Sequence, residues 1–133
     1  MSVSPLPYRI PLDGTVLIEA SAGTGKTHTL ERLIARHILW HGHTVDSVLA
    51  VTFTNAAAAD IRLRLHGFLR RCHDYDGVSA DGDIEILYAG RPDEVSENLL
   101  RSRLALALSD FDRAAVYTIH GFCQRLLQDY ALD

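Results

Sequence analysis

The chain has 133 residues, 47% of them hydrophobic, and a formal net charge of −4. This length allows one modest domain, and this composition excludes a wholly disordered chain. Its apolar runs are shorter than the roughly 18 residues of a membrane-spanning helix, and residues 1–9 lack the apolar stretch of a signal peptide. Two separated cysteines, Cys72 and Cys123, form neither a disulfide framework nor a zinc motif. We therefore expect a cytoplasmic protein.

The first half of the chain predicts two strands, each followed by a helix. Residues 1–13 contain three prolines and are expected to form an extended lead-in. The apolar residues 16–19 predict a short strand, and helical spacing of apolar residues predicts a helix over 27–41. Residues 48–53 are typical of a strand buried on both faces of a parallel sheet. Asn55 is expected to cap the next helix. The apolar stripe of that helix consists of Ala57, Ile61, Leu65, Phe68 and Leu69.

The second half predicts a loop, a helix, a strand and a last helix. Residues 74–83 are rich in Asp and Gly and read as a loop, within an acidic segment that is not expected to touch a phosphate backbone. Residues 114–119 form another β-prone run, and a final helix is expected from Gly121. The alternation of strands and helices predicts an α/β fold with a parallel sheet flanked by helices. The segments that follow the strands should then line one edge of the sheet. The helix before the last strand is predicted from the spacing of Leu100, Leu104, Leu108 and Phe111.

A phosphate-binding loop is the most informative motif. Residues 20–27 read Ala-Ser-Ala-Gly-Thr-Gly-Lys-Thr between a predicted strand and a predicted helix. Backbone N–H groups of such a loop, with the positive end of the helix after it, hold phosphates. Lys26 can reach the β- and γ-phosphates, and Thr27 can ligate Mg²⁺. We therefore predict a nucleoside triphosphate and Mg²⁺ as cofactors, with Lys26 as the catalytic residue and Thr27 as the metal ligand. The predicted nucleotide-binding residues are Ala20, Ser21, Ala22, Gly23, Thr24, Gly25, Lys26 and Thr27.

Two further segments place polar groups and an aromatic residue after a strand. Residues 52–55 read Thr-Phe-Thr-Asn and precede four alanines, and residues 118–125 read Thr-Ile-His-Gly-Phe-Cys-Gln-Arg. With residues 17–27, these segments resemble motifs I, Ia and Ic of superfamily 1 DNA helicases of the UvrD/Rep type. The sequences of residues 18–27 and 118–125 are most similar to those of RecB-type subunits of exodeoxyribonuclease V. The resemblance covers most of the chain.

The resemblance implies an ATP-driven motor on single- or double-stranded DNA that acts in double-strand break repair and recombination. It implies a P-loop NTPase fold of the RecA-like kind, with residues 14–133 as the N-terminal portion of the ATP-binding domain and the start of a helical insertion. RecB-type proteins add a nuclease domain, and their partners would be RecC- and RecD-like subunits. By position, the DNA-binding residues would be Thr52, Phe53, Thr54, Asn55, Thr118, His120, Gly121 and Phe122.

Departures from the family pattern limit what the chain is expected to do. Ala20 replaces the first glycine of the phosphate loop, and residues 11–14 contain no Gln that could read adenine. The chain contains no apolar strand that ends in Asp-Glu, so a metal-holding acidic group for hydrolysis is missing. We expect an incomplete motor domain that belongs to a longer ATP-hydrolysing enzyme and that, by itself, binds ATP without turnover. The alternatives are a stand-alone or degenerate P-loop nucleotide-binding module and, less favoured, a small P-loop kinase.

Several side chains allow two interpretations from sequence. Phe53 could stack on a base or pack in the core, since it ends an apolar run. His120 could contact DNA or be a packed, hydrogen-bonded histidine. Cys123 is expected to be a small buried residue. His41 and His43 have no cysteine or cluster of carboxylates nearby, so a metal site there is not expected. A solvated helix face is the expected position of Arg62, Arg70 and Arg71.

Overall fold

The computed structural model describes residues 8, 12–14, 26–78 and 82–131. The predicted strand at residues 16–19 and residues 20–25 of the predicted phosphate loop lie outside these ranges. The elements are, in chain order, α1 (Lys26–Leu39), β1 (Leu49–Thr52), α2 (Asn55–His73), α3 (Gly82–Ala89), α4 (Glu97–Ser109), a 3₁₀ helix (Phe111–Arg113), β2 (Ala115–Thr118) and α5 (Ile119–Ala131).

Helix α1 ends at Leu39, two residues before the predicted end at residue 41, and Gly42 follows it. Gly42 has a φ of 76°, a backbone conformation that side chains with a Cβ rarely adopt. The N–H of Gly42 donates to the carbonyl of Ile38, and the N–H of His43 donates to the carbonyl of His37, each at 3.1 Å. These bonds satisfy carbonyls that the end of the helix would otherwise leave unpaired.

The two described strands form a parallel pair, as the sequence predicted. Leu49 pairs with Ala115, and Thr52 pairs with Thr118 at the other end. Parallel strands need a long crossover, which α2, α3 and α4 provide. The prediction that β1 is buried on both faces is wrong within the described residues. Ala50 is buried against the core, whereas Leu49 and Val51 point to the other face and are 51% and 41% exposed.

Helix α2 is capped by Thr54, which corrects the predicted cap at Asn55. Thr54 has extended backbone angles, and its Oγ1 accepts a hydrogen bond of 3.0 Å from the N–H of Ala57. Asn55 is the first helical residue and is exposed. The predicted apolar stripe is buried except for Ala57, whose place in the core is taken by Ala58. A threonine two residues after the end of β1 therefore starts α2.

Helix α3 was not predicted from sequence, since part of it lies in the expected loop of residues 74–83. It begins at Gly82 and buries Ile84, Leu87 and Tyr88. The hydroxyl of Tyr88 donates to the carbonyl of Cys72 at 2.6 Å, and burial raises the pKa of Tyr88 to about 12. This short helix closes the core over the end of α2.

Helix α4 confirms the helix predicted before the last strand. Its N-cap is Ser96, whose hydroxyl accepts from the N–H of Leu99 at 3.1 Å. Leu100 and Leu104 are fully buried, as predicted, and Ala107 is buried beside them. Leu108 was predicted to belong to the buried stripe but is only half-buried. Ala107, one residue earlier, is buried instead.

The core lies among α1, α2, α3 and α4, on one side of the two strands. Tyr8, in the lead-in predicted to be extended, has helical backbone conformation and is 7% exposed, and its hydroxyl donates to the carbonyl of Asp83 at 3.1 Å. In the described part of the chain, no helix combines the length and apolar character needed to cross a membrane. The largest fully buried side chains are Phe68, Ile38, Leu39, Leu65, Leu69, Leu87, Leu100, Leu104 and Cys72.

Candidate functional site

The parallel pairing brings two of the three sequence motifs to one edge of the sheet. Thr52 and Thr118 are paired residues at the carboxyl ends of β1 and β2. Residues 53–55 and 119–122 follow directly, so both segments lie at this edge, which we call the rim. Of the phosphate-loop motif, residues 20–27, the structure describes only Lys26 and Thr27.

Helix α1 begins at the two residues predicted to serve ATP and Mg²⁺. Lys26 is its first residue, and Thr27 follows in the first turn and is half-buried. No acidic residue occurs in this turn. The N-terminal end of a helix carries a partial positive charge that attracts anions. The described part of the motif is therefore suited to a phosphate, and the assignment of residues 20–25 stays a prediction.

Phe53 is the most exposed large apolar side chain of the rim. It is 90% exposed, directly after β1. The interpretation of Phe53 as a core residue is therefore wrong within the described structure. The hydroxyl of Thr52 donates to the carbonyl of Thr54 at 3.1 Å, which fixes the turn that carries the ring.

The second rim segment is the start of α5, which begins at Ile119 rather than at the predicted Gly121. The hydroxyl of Thr118 accepts from the N–H of Gly121 at 3.0 Å. A Cβ on Gly121 would lie 3.1 Å from that hydroxyl oxygen, so a larger residue would disturb this contact. His120 is exposed, and the interpretation of it as a packed histidine is wrong. Phe122 is half-buried, with its ring stacked 6.4 Å from that of Tyr117.

Two helix N-termini open at the rim. Helix α2 begins at Asn55 and α5 at Ile119, and neither has an acidic residue in its first turn. Backbone N–H groups and hydroxyls at such positions hold phosphates without reading a base, and an exposed aromatic ring can stack on any base. The rim therefore combines groups that suit a single-stranded nucleic acid.

Two sequence predictions for side chains of α2 and α5 need correction. Arg62 is half-buried rather than solvated, because its Nη2 donates to the carbonyl of Val116 at 2.7 Å. Arg70 and Arg71 are exposed, as predicted. Cys123 was expected to be buried but is exposed, whereas Cys72 is buried in the core.

Three histidines, His37, His41 and His43, lie close together at the C-terminal end of α1. The ring of His37 lies 6.5 Å from that of His41 and 5.7 Å from that of His43. Burial, together with the positive charges of the neighbouring His43, His41 and Arg36, lowers the pKa of His37. Among the described residues, no group of three or more His, Cys, Asp and Glu side chains is placed to hold a metal ion.

A buried ion-pair network between α1, α2 and α3 was not predicted from sequence. Glu31 and Arg32 are 4% and 5% exposed, and Arg32 Nη1 donates to Glu31 Oε2 at 3.0 Å. Arg32 Nε also donates to Asp83 at 3.1 Å, and His28 Nε2 lies 2.9 Å from the same carboxylate. The guanidinium of Arg32 stacks 3.7 Å above the ring of Phe68. Sequence periodicity treats such charged residues as solvent-facing, which is why it missed them.

The chain is similar to subunits of one bacterial enzyme. It is 40% identical over 136 residues to the RecBCD enzyme subunit RecB of Escherichia coli, covering 96% of this chain and 11% of that protein. It is 36% identical over 140 residues to the subunit of the same name from Haemophilus influenzae, covering 94% of this chain and 11% of the relative. The subunit from Mycobacterium tuberculosis H37Rv is 37% identical over 128 residues, covering 90% of this chain and again 11% of the relative. The chain thus spans about a tenth of the length of these relatives.

A family model covers nearly the whole chain. The model of the UvrD/REP helicase N-terminal domain matches residues 7–133 and so includes the phosphate-loop motif and both rim segments. The chain therefore belongs to the UvrD/REP helicase N-terminal domain family.

Proposed function

We propose that this chain forms the ATP-binding and single-stranded-DNA-contacting part of a RecB-like helicase subunit. The observation that carries the proposal is the parallel pairing of Thr52 with Thr118. This pairing brings the two segments that resemble helicase motifs Ia and Ic to the same rim. Membership of the helicase family and similarity to RecB subunits also support this proposal.

The nucleotide would be held by the loop of residues 20–25 and the start of α1. Lys26 would contact the outer phosphates, and Thr27 would help to hold Mg²⁺, which would supply positive charge beside the phosphates. The fold would be a RecA-like P-loop NTPase. The acidic and arginine groups that complete hydrolysis would come from other parts of a longer protein.

The DNA would lie along the rim. The ring of Phe53 would stack on a base, and Thr54, Asn55, Thr118, His120 and Gly121 would contact the backbone through polar groups and N–H groups. Phe122 would support this surface through its stack on Tyr117. Contacts of this kind do not depend on base sequence, as a moving motor requires.

The assembly is proposed from the relatives. Their names describe subunits of the RecBCD enzyme. We propose that the protein carrying this chain works with RecC- and RecD-like subunits in the cytoplasm, has a separate nuclease activity, and acts in double-strand break repair and recombination.

Substitution of Lys26 tests the proposal in the protein that carries this chain. Lys26→Ala should lower DNA-stimulated ATP hydrolysis by about 100-fold or more, because the transition state loses a positioned cation. Arg71→Ala, at an exposed position of α2, should leave the rate unchanged. Normal stimulated turnover in Lys26→Ala would refute the role of this loop. ATP binding without any DNA-stimulated turnover in the unsubstituted protein would favour the alternative of a nucleotide-binding module.

A further inference from the structure

One arginine of α2 faces carboxylates on two different helices. Arg64 Nε donates to Asp60 Oδ1 at 3.1 Å and lies 3.0 Å from Asp60 Oδ2, one turn away on the same helix. The same Nε lies 3.9 Å from Oε1 of Glu31, on α1. Asp60 and Arg64 are about half exposed, so the guanidinium can move.

Glu31 has one carboxylate oxygen that can accept a hydrogen bond from a second cation. The side chain is 5% exposed, and its Oε2 is bonded to Arg32. Its Oε1 is buried and has no hydrogen-bond partner among the described residues. An unsatisfied buried oxygen costs free energy, and burial raises the pKa of Glu31. A shift of less than about 1 Å by Arg64 would bring the 3.9 Å contact into hydrogen-bonding range.

The two carboxylates lie close to the two proposed binding regions. Glu31 follows Lys26 by five residues on α1, and Asp60 follows Asn55 by five residues on α2. At a rise of 1.5 Å per residue, each lies about 7.5 Å along the axis from the start of its helix. A movement of either helix start would change the distance between Glu31 and Asp60, which Arg64 contacts at 3.9 Å and 3.0 Å.

We propose that Arg64 is a positioning residue that couples nucleotide binding at α1 to DNA binding at α2 by moving between Asp60 and Glu31. The present structure is the state in which Arg64 bonds Asp60. In the coupled state Arg64 bonds Oε1 of Glu31 and draws the two helix starts into a fixed relation. This inference rests on the proposed function.

The test measures coupling separately from binding, in the full protein that carries this chain. Arg64→Met should lower the ratio of DNA-stimulated to basal ATP turnover by about tenfold. The KM for ATP, the Kd for a single-stranded oligonucleotide and the basal rate should change less than about twofold, since Arg64 contacts neither ligand. Arg64→Lys should keep part of the coupling, because an ammonium can pair with either carboxylate but lacks the rigid fork of donors of a guanidinium.

Arg70→Met is the matched control. Arg70 lies on the same helix, is exposed, and forms the same kind of pair with Asp74 one turn away, at 3.9 Å. Both methionine variants should stay folded at the assay temperature, because the Arg64–Asp60 and Arg70–Asp74 pairs are exposed and add little stability. A normal stimulation ratio in Arg64→Met, or an equal loss in Arg70→Met, would overturn the coupling role alone. Absence of DNA stimulation in the unsubstituted protein would overturn the proposed function and this inference with it.

Discussion

The exposed ring of Phe53 is the single side chain that best supports the proposed contact with DNA. Phenylalanine side chains are usually buried, but this one is 90% exposed. The turn that presents it is fixed by the hydrogen bond from Thr52 to Thr54. The ring is therefore held in solvent by a defined backbone.

Phe53→Ala should weaken binding of a single-stranded oligonucleotide by about tenfold, because base stacking on an aromatic ring contributes about 1–3 kcal/mol. It should leave thermal stability unchanged, since little buried area is lost. Fluorescence anisotropy with a labelled oligonucleotide measures the affinity. Leu63→Ala is the control, because Leu63 is 74% exposed on α2 outside the rim. An unaltered affinity for Phe53→Ala would remove the ring from the proposed DNA path.

At the scale of elements, the caps decide where the helices begin. Thr54 occupies extended backbone before α2 and accepts from the N–H of Ala57, whereas Asn55 is already helical. Both residues are good caps by type. The choice between them depends on where β1 ends, which is set by its pairing with β2.

Thr54→Ala should destabilise the chain by about 1 kcal/mol, because the N–H of Ala57 loses its partner. Asn55→Ala should have a much smaller effect, since alanine is favourable at a helical position. Urea unfolding of the two variants, followed by circular dichroism, compares them directly. A larger loss for Asn55→Ala would restore the cap predicted from sequence.

The elements also show which patterns sequence can reveal. The apolar spacing of α1, α2 and α4 is long and regular, and all three were predicted. Helix α3 is only eight residues long and begins with Gly82 and Asp83, so its local pattern is that of a loop. Its stability comes from packing of Ile84, Leu87 and Tyr88 against other helices, which no local pattern contains.

At the scale of the whole molecule, the histidine cluster makes stability depend on pH. Burial and nearby positive charges lower the pKa of His37 below its ordinary value of 6.5. The unfolded chain therefore binds this proton more tightly than the folded chain. The stability that neutral His37 contributes is present above pH 6.5 and is lost as the pH falls below 6.5 toward the folded pKa.

His37→Gln should therefore lose less stability than the unsubstituted chain between pH 7.5 and pH 5.5. The raised pKa of Glu31 acts in the opposite direction, since its cost is relieved as the pH falls. Taking the difference between the two chains at each pH cancels that contribution. The measurement is the free energy of unfolding in urea across this range. Parallel pH profiles for the two chains would contradict a lowered pKa at His37.

The sequence by itself predicted the parallel pairing of β1 and β2 and the helices α1, α2 and α4, because these depend on local spacing and on residue types within a few positions. The tertiary structure decided the exposure of Phe53 and His120, the contact of Arg62 with β2 and the burial of Glu31 beside Arg64. Each of these depends on which element packs against which face. That packing is fixed by contacts between residues far apart in the chain, and the same side chain can be solvated or buried with equal local sequence.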